Sequence, residues 1–434
     1  MTILIKGGDL VDPLKGFTKK QDIILEGGRI SRILPSGIFK EVGPEISIID
    51  VSGKLIMPGM IDMHVHLREP GHEYKETIAT GSLAGVVGGF TGLACMPNTD
   101  PVNDNVSITE FILKQANKAG KLRVYPLAAI TKGRKGETLT EFGDLKKAGA
   151  VGVTDDGSPV VNSEIMRRAL EYAKYHNLAV ISHCEDMYLS LGGVMHEGVI
   201  STRIGLKGIP SASEEIMVTR EISLARLTGC PVHIAHVSTV GSVKAIRRAK
   251  EDGLPVTAET APHYFSLDHT EVLGYNTNAK INPPLRSPED VLAIKMGLAD
   301  DVIDVIATDH APHNRLEKNV EFDKAAFGII GLETALPLTL ALVREGVLTL
   351  QAAIKKLTYS PASILGISCG ILQEDSIADL AVVDPECEYV FKEEDIMSRS
   401  KNSPFIGKKL KGRNLLTIVG GQIVWSRESE NIGC

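Results

Sequence analysis

Two textures of apolar and polar residues alternate along the 434-residue chain. Residues 1–54 and 366–434 read as short strands separated by turns: 3–5, 22–25, 29–33 and 47–51 in the first stretch, 378–383, 415–419 and 422–425 in the second. Gly7-Gly8, Gly27-Gly28 and Gly420-Gly421 mark turns between them. The same texture at both ends predicts one small β domain, a sandwich, assembled from the two termini.

Residues 55–365 read differently. Apolar strand runs fall at 55–63, 91–96, 122–130, 150–154, 178–182, 231–236, 255–259 and 302–308, with amphipathic helical segments such as 163–176, 213–227 and 241–251 between them. Buried strands joined by crossover helices predict an α/β fold, specifically a TIM-type (β/α)8 barrel. An open doubly wound sheet would carry a glycine fingerprint after its first strand, and this sequence has none there.

Composition narrows the function classes. The net charge of −7 argues against a nucleic-acid or anionic-membrane surface as the main partner. No segment approaches the roughly 18 apolar residues of a membrane span, and the early Lys6 is unlike a secretory leader. The six cysteines form no C-x-x-C pair, so neither a disulfide framework nor a zinc knuckle is expected. The chain reads as a cytoplasmic enzyme.

The chemistry begins at the end of the run 55–63. Side chains on a strand repeat every second residue, so His64 and His66 leave the same face and can share one metal. Arg68 keeps that parity. A guanidinium beside a metal suits a substrate with a bond to hydrolyse and a carboxylate to anchor. In a (β/α)8 barrel, functional side chains gather at the carboxyl ends of the strands. Those ends here carry Asp155-Asp156-Gly157, Ser182-His183-Cys184-Glu185, His233-Ile234-Ala235-His236 and Thr308-Asp309-His310-Ala311-Pro312-His313. Four histidines and two carboxylates suffice for two metals with a shared bridging group. A hydroxide held between two such ions is a nucleophile near neutral pH, suited to amide hydrolysis.

This order of ligands resembles the amidohydrolase superfamily. The finer motifs resemble its bacterial class I dihydroorotase family: His64 to Gly71, Met96-Pro97-Asn98-Thr99, Thr154 to Gly157, Ser182 to Asp186, Glu259-Thr260-Ala261-Pro262-His263, Thr308 to His313 and Lys401-Asn402-Ser403-Pro404-Phe405. The resemblance implies two zinc ions per subunit. His64, His66 and Asp309 would hold the more buried ion, His183 and His236 the second, and Asp156 would bridge them where many relatives use a carboxylated lysine. Local sequence leaves the choice between Asp155 and Asp156 open; the family spacing favours Asp156. The substrate implied is L-dihydroorotate, reversibly hydrolysed to N-carbamoyl-L-aspartate in pyrimidine biosynthesis. A bridging hydroxide would attack the ring carbonyl, with Asp309 as general base and then acid. Arg68, Asn98 and His313 would meet the carboxylate, Asn282 the ring amides, and Phe327-Gly328 would close over the ring through backbone contacts, beside His66. A homodimer is implied, and a complex with aspartate transcarbamoylase is left open.

Other residues carry weaker expectations. Asn282 reads equally as a turn residue before two prolines. The polar segment 314–326 fits either a mobile lid or a surface loop. His233 and His310 are expected to point away from the mouth, His263 is open between pocket and structural roles, and His72, His176, His196 and His269 are expected at the surface or at helix ends. The rival enzymes are dihydropyrimidinase (hydantoinase) and allantoinase, whose substrates lack the carboxylate that Arg68 fits. A non-catalytic scaffold relative would usually have lost metal ligands, and every ligand position is filled here.

Overall fold

The computed structural model describes residues 2–38 and 46–427. Eight parallel strands form the barrel: β1 (Met60–Val65), β2 (Phe90–Cys95), β3 (Arg123–Ala128), β4 (Gly152–Val153), β5 (Ala179–Ser182), β6 (Val232–Ile234), β7 (Val256–Thr260) and β8 (Val305–Ile306). They are hydrogen-bonded in sequence order. The last and first strands meet through a parallel bridge between Val65 and His310, where the His66 N–H donates to the His310 carbonyl at 2.9 Å. Every residue of β1 and β2 is buried, as continuous apolar strands require when side chains fill one face and helices cover the other.

The connecting helices follow their sequence signals. The helix Ser163–Tyr175 starts at Asn162, whose side chain accepts from the Glu164 and Ile165 amides. It buries Met166, Ala169, Leu170 and Ala173. On its outer face Arg167 and Arg168 pair with Glu164 and Glu171 at helical spacing. The helices Ala212–Thr228 and Val240–Glu251 also lie where the amphipathic pattern places them.

The two termini do meet in one eight-stranded sheet. Its central strands are Leu380–Val390, Leu55–Pro58 and Thr2–Asp12, in that order. The run 55–63, expected as a single barrel strand, is therefore two. Leu55–Pro58 pairs antiparallel with 380–383 and parallel with Asp9 and Leu10, and the barrel strand begins after Gly59. At Gly59 a Cβ would lie 2.2 Å from the Thr91 side chain, so only glycine lets the chain pass there. The small sheet has its own core, including Ile3, Ile5, Ile23, Ile56, Leu380 and Ile418.

Among the described residues Cys95, Cys184, Cys230 and Cys369 are free thiols, while Cys387 is disulfide-bonded, which the sequence pattern did not announce. Among the described residues no helix is long and apolar enough to cross a membrane.

Candidate active site

The C-terminal mouth of the barrel brings the six expected ligand residues together. His64 lies at the end of β1 and His66 just beyond it; Asp156, His183, His236 and Asp309 follow β4, β5, β6 and β8. Arg68, His236 and Asp309 have φ of 61°, 34° and 47°. Non-glycine residues rarely adopt this region, and its cost is borne mainly at functional sites.

Two groups able to hold a metal share one residue: His64, His66 and Asp156, and Asp156, His183 and His236, with ligand atoms within 4.8 Å of one another. Asp156 Oδ1 lies 3.4 Å from His64 Nε2 and 3.6 Å from both His183 Nδ1 and His236 Nε2. Its Oδ2 is 3.6 Å from His66 Nε2. Asp309 Oδ1 faces His66 Nε2 at 3.2 Å and His64 Nε2 at 3.5 Å.

The surrounding hydrogen bonds aim lone pairs at this centre. His64 Nδ1 lies 2.5 Å from Glu259, His66 Nδ1 2.9 Å from the Asn98 carbonyl oxygen, and His183 Nε2 2.8 Å from Glu185. With each acceptor taking the ring N–H, the second nitrogen turns to the cluster, where His66 Nε2 faces Asp309 and His183 Nδ1 lies 2.7 Å from His236 Nε2. His64 Nε2 and Asp156 Oδ1 are buried without a hydrogen-bond partner. Orphaned buried polar atoms are costly unless something meets them, and a pair of divalent cations fits this donor set. Burial would raise the Asp156 pKa, but His64 and then the facing rings of His183 and His236 hold it well below the carboxylate range. The shared carboxylate is therefore ionised and ready to neutralise cations.

A cavity of about 250 Å³ opens beside this cluster, and His66, Arg68, Asn98, Asn282, His313 and Phe327 all line it. Arg68 is buried, and burial pulls its pKa down to about 10. Its Nε donates to the Pro312 carbonyl at 3.3 Å and its Nη2 to His313 Nε2 at 3.2 Å. No carboxylate lies within ion-pair distance of it among the described residues. Burial, then the charges of Arg68 and Lys75, push His313 far below the ordinary histidine value, so it stays neutral and accepts that bond. A buried guanidinium lacking an anion is costly, so the cavity is suited to an anionic ligand.

Some expected contacts are already engaged. The Asn282 amide nitrogen donates to Glu185 at 2.9 Å. The Gly328 N–H donates to the Lys280 carbonyl at 2.9 Å, and its own carbonyl accepts from Lys318 and Asn402, both at 3.0 Å. What Gly328 provides is space: a Cβ there would lie 2.5 Å from the Ala311 carbonyl oxygen.

The remaining candidates separate cleanly. Asp155 turns away to the backbone and hydroxyl of Thr131. His233 lies behind the mouth, 3.3 Å from Glu259 and 2.8 Å from Thr257. His310 points away, with Nε2 3.4 Å from the buried Glu76 and Nδ1 accepting from the Gly331 amide. His263 is buried with its Nε2 unpartnered. His196, expected at the surface, is instead buried beside Arg286. Glu259, Glu185 and Asn402 lie inside the sequence motifs, but local sequence assigns them no role, and Glu76 lies outside those motifs. The available signal was an acid inside otherwise apolar strand text, as at Glu259. Asn402, from the C-terminal stretch, accepts from the His313 amide and donates to the Ala311 and Gly328 carbonyls, each at 3.0 Å.

Comparison with known proteins agrees with this geometry. A family model described as Dihydro-orotase-like matches residues 53–242. The dihydroorotase of Geobacter metallireducens is 53% identical over 427 residues, 98% of this chain and 100% of the relative. That of Pelotomaculum thermopropionicum is 54% identical over 425 residues, 98% of each chain. Among solved structures, the L-hydantoinase (dihydropyrimidinase) from Arthrobacter aurescens matches with a TM-score of 0.87 at 25% identity, covering 98% of this chain and 96% of that one. A dihydropyrimidinase from Brevibacillus agri matches with a TM-score of 0.83 at 21% identity, over 99% and 96% of the two chains; that likeness is one of fold. The barrel is thus of the amidohydrolase type, and by its full-length identity to the bacterial relatives the chain belongs to the dihydroorotase family.

Proposed function

We propose that this chain catalyses the reversible hydrolysis of L-dihydroorotate to N-carbamoyl-L-aspartate, with two zinc ions, and runs in the ring-closing direction in pyrimidine biosynthesis in the cytoplasm. The observation that carries the substrate assignment is Arg68: a buried guanidinium facing the cavity, free of any carboxylate partner among the described residues, next to the metal-binding cluster. A dihydroorotate carboxylate supplies the missing anion, and Asn98 and His313 flank it.

In this reading His64, His66 and Asp309 would hold one ion and His183 and His236 the other, with Asp156 available to both. Bound ions would supply Lewis acidity toward the amide carbonyl and a water of lowered pKa. Asp309, facing the cluster, takes a proton from the attacking water and delivers it to the ring nitrogen as the amide C–N bond breaks. The hydroxyl stays on the carbonyl carbon and gives up its remaining proton to solvent as the new carboxylate forms, and the ureido group departs with the proton from Asp309. Asn282 and Phe327 border the ring, and Gly328 lets the wall of the cavity approach closely.

The test is turnover of L-dihydroorotate beside dihydrouracil, hydantoin and allantoin, for wild type and Arg68→Ala, with metal content recorded. L-dihydroorotate should be strongly preferred, and kcat/KM for it should fall by about a hundredfold or more in the variant, as expected for a lost charged anchor. Preference for a neutral ring, with Arg68→Ala indifferent, would move the chain to the hydantoinase branch. Full metal loading with no turnover of any ring would make it a non-catalytic relative.

A further inference from the structure

The segment 314–328, which ends at Phe327 and Gly328, is held from below by two buried lysines. Lys318 closes the short helix Arg315–Lys318 and is 4% exposed; Lys280 is 2% exposed. Lysines are seldom buried this deeply without a carboxylate, and neither forms an ion pair among the described residues. Backbone carbonyls take that place. Lys318 Nζ donates to the carbonyls of Lys280, Ala326 and Gly328 at 3.2, 2.8 and 3.0 Å. Lys280 Nζ donates to those of Phe322 and Asp323 at 2.8 and 2.9 Å, and lies 4.5 Å from the centre of the Phe327 ring. The two stretches thus hold each other: Lys280 leads directly to Ile281 and Asn282, and these line the cavity together with Phe327 and Gly328. Next to Lys318, Glu317 reaches the other way, to Lys75 at 2.7 Å and His313 at 3.3 Å.

We propose that Lys318, backed by Lys280, is a positioning residue for the reaction: its ammonium locks the 314–328 segment to the Asn282 segment and so fixes the wall against which the substrate ring lies. The segment is a clamped wall rather than a free lid. Burial and then the Lys280 charge lower the Lys318 pKa to about 7, but three carbonyls converge on its Nζ, which matches the three donors of an ammonium and exceeds the two of a neutral amine. The same charge reaches the anion-binding end of the cavity, where it is among those depressing the His313 pKa.

The substrate part of this inference rests on the proposed dihydroorotase activity, so its test has an arm that does not. Hydrogen exchange of the metal-loaded enzyme, followed by mass spectrometry, is compared for wild type, Lys318→Met and Lys280→Met. Lys356→Met serves as control, since Lys356 is buried just as deeply against Asp301 and the Ile303 carbonyl, away from the cavity. In Lys318→Met, amides in 319–330 should exchange about tenfold faster or more. KM for L-dihydroorotate should rise by about tenfold while kcat changes by less than about threefold and metal content stays the same. Lys356→Met should lower the thermal midpoint and leave both the local exchange and KM unchanged. If Lys318→Met does not fold, Lys280→Met carries the same test. Wild-type exchange and KM in these variants would overturn the proposal, as would an equal rise in KM in Lys356→Met. Should wild type ignore L-dihydroorotate, the activity assignment falls, and the exchange arm still decides the clamp.

Discussion

Arg68 and Arg286 are both buried arginines, 9% and 3% exposed, in the same barrel, yet their surroundings are opposite. Arg286 is fully engaged by protein. Its Nε donates to Ser238, its Nη1 to the Ile209 carbonyl at 3.0 Å, and its Nη2 pairs with the buried Glu214 at 3.5 Å. Arg68 has a carbonyl and a neutral histidine, and otherwise faces a cavity. The contrast teaches that a buried charge is informative when its satisfaction is left incomplete. Arg286 ties together elements of the fold; Arg68 is built to be completed by a ligand. The same distinction separates His64, whose Nε2 is orphaned, from His310, whose two nitrogens both have partners.

Replacing each arginine by methionine tests the comparison most strongly. Arg286→Met strands the Glu214 carboxylate in the interior and should destabilise the protein by about 3–5 kcal/mol, read from its thermal midpoint, as for other broken buried pairs. Arg68→Met should leave the midpoint unchanged or raised, because the buried unpaired charge it removes costs more than its two long bonds to Pro312 and His313 return. Similar losses of stability in both would mean that Arg68 too is a structural residue.

A smaller effect concerns Glu259, which connects His64 to His233 inside the barrel. Glu259→Gln keeps the shape but loses the anion that fixes the His64 tautomer. Metal affinity at one of the two positions should fall by about 10–100-fold in chelator competition, with the other position spared. Loss at both positions, or at neither, would show that the carboxylate does not act through His64.

The smallest effect is the pH response beside Arg286. Burial and then the Arg286 charge lower the His196 pKa to about 4 from the ordinary 6.5. Between those values the unfolded chain binds a proton that the native ring refuses, so stability falls as pH drops through this window and levels off below it. From pH 7 to pH 5 this should cost about 1 kcal/mol after allowance for the partly screened ring, and His196→Gln should remove the dependence in urea melts. An unchanged pH profile in the variant would mean that the response arises elsewhere.

Much of this was readable in the chain because strand periodicity is a local property. The parity of His64, His66 and Arg68 follows from residues a few positions apart, and so do the barrel strands. Asp155 and Asp156 show the limit: alternation says that one faces the mouth, only the family spacing favours Asp156, and the physical reason is that Thr131 holds Asp155. Glu259, Lys280 and Lys318 were harder still, since a buried charge is explained only by distant partners. For Lys318 those partners are backbone carbonyls, which leave no side-chain signature in the sequence. The split of 55–63 into two strands was hidden for a related reason: both halves are equally apolar, and Gly59 marks the crossing only when Thr91 is placed beside it.

The position of Leu55–Pro58 between Thr2–Asp12 and Leu380–Val390 has a consequence for how the molecule is made. Synthesis delivers the first flank of this strand at once and the second only after the entire barrel has left the ribosome. At about 5–20 residues per second, that is a delay of tens of seconds. Throughout it, the strand that leads directly into His64 and His66 has an open edge waiting for the far end of its own chain.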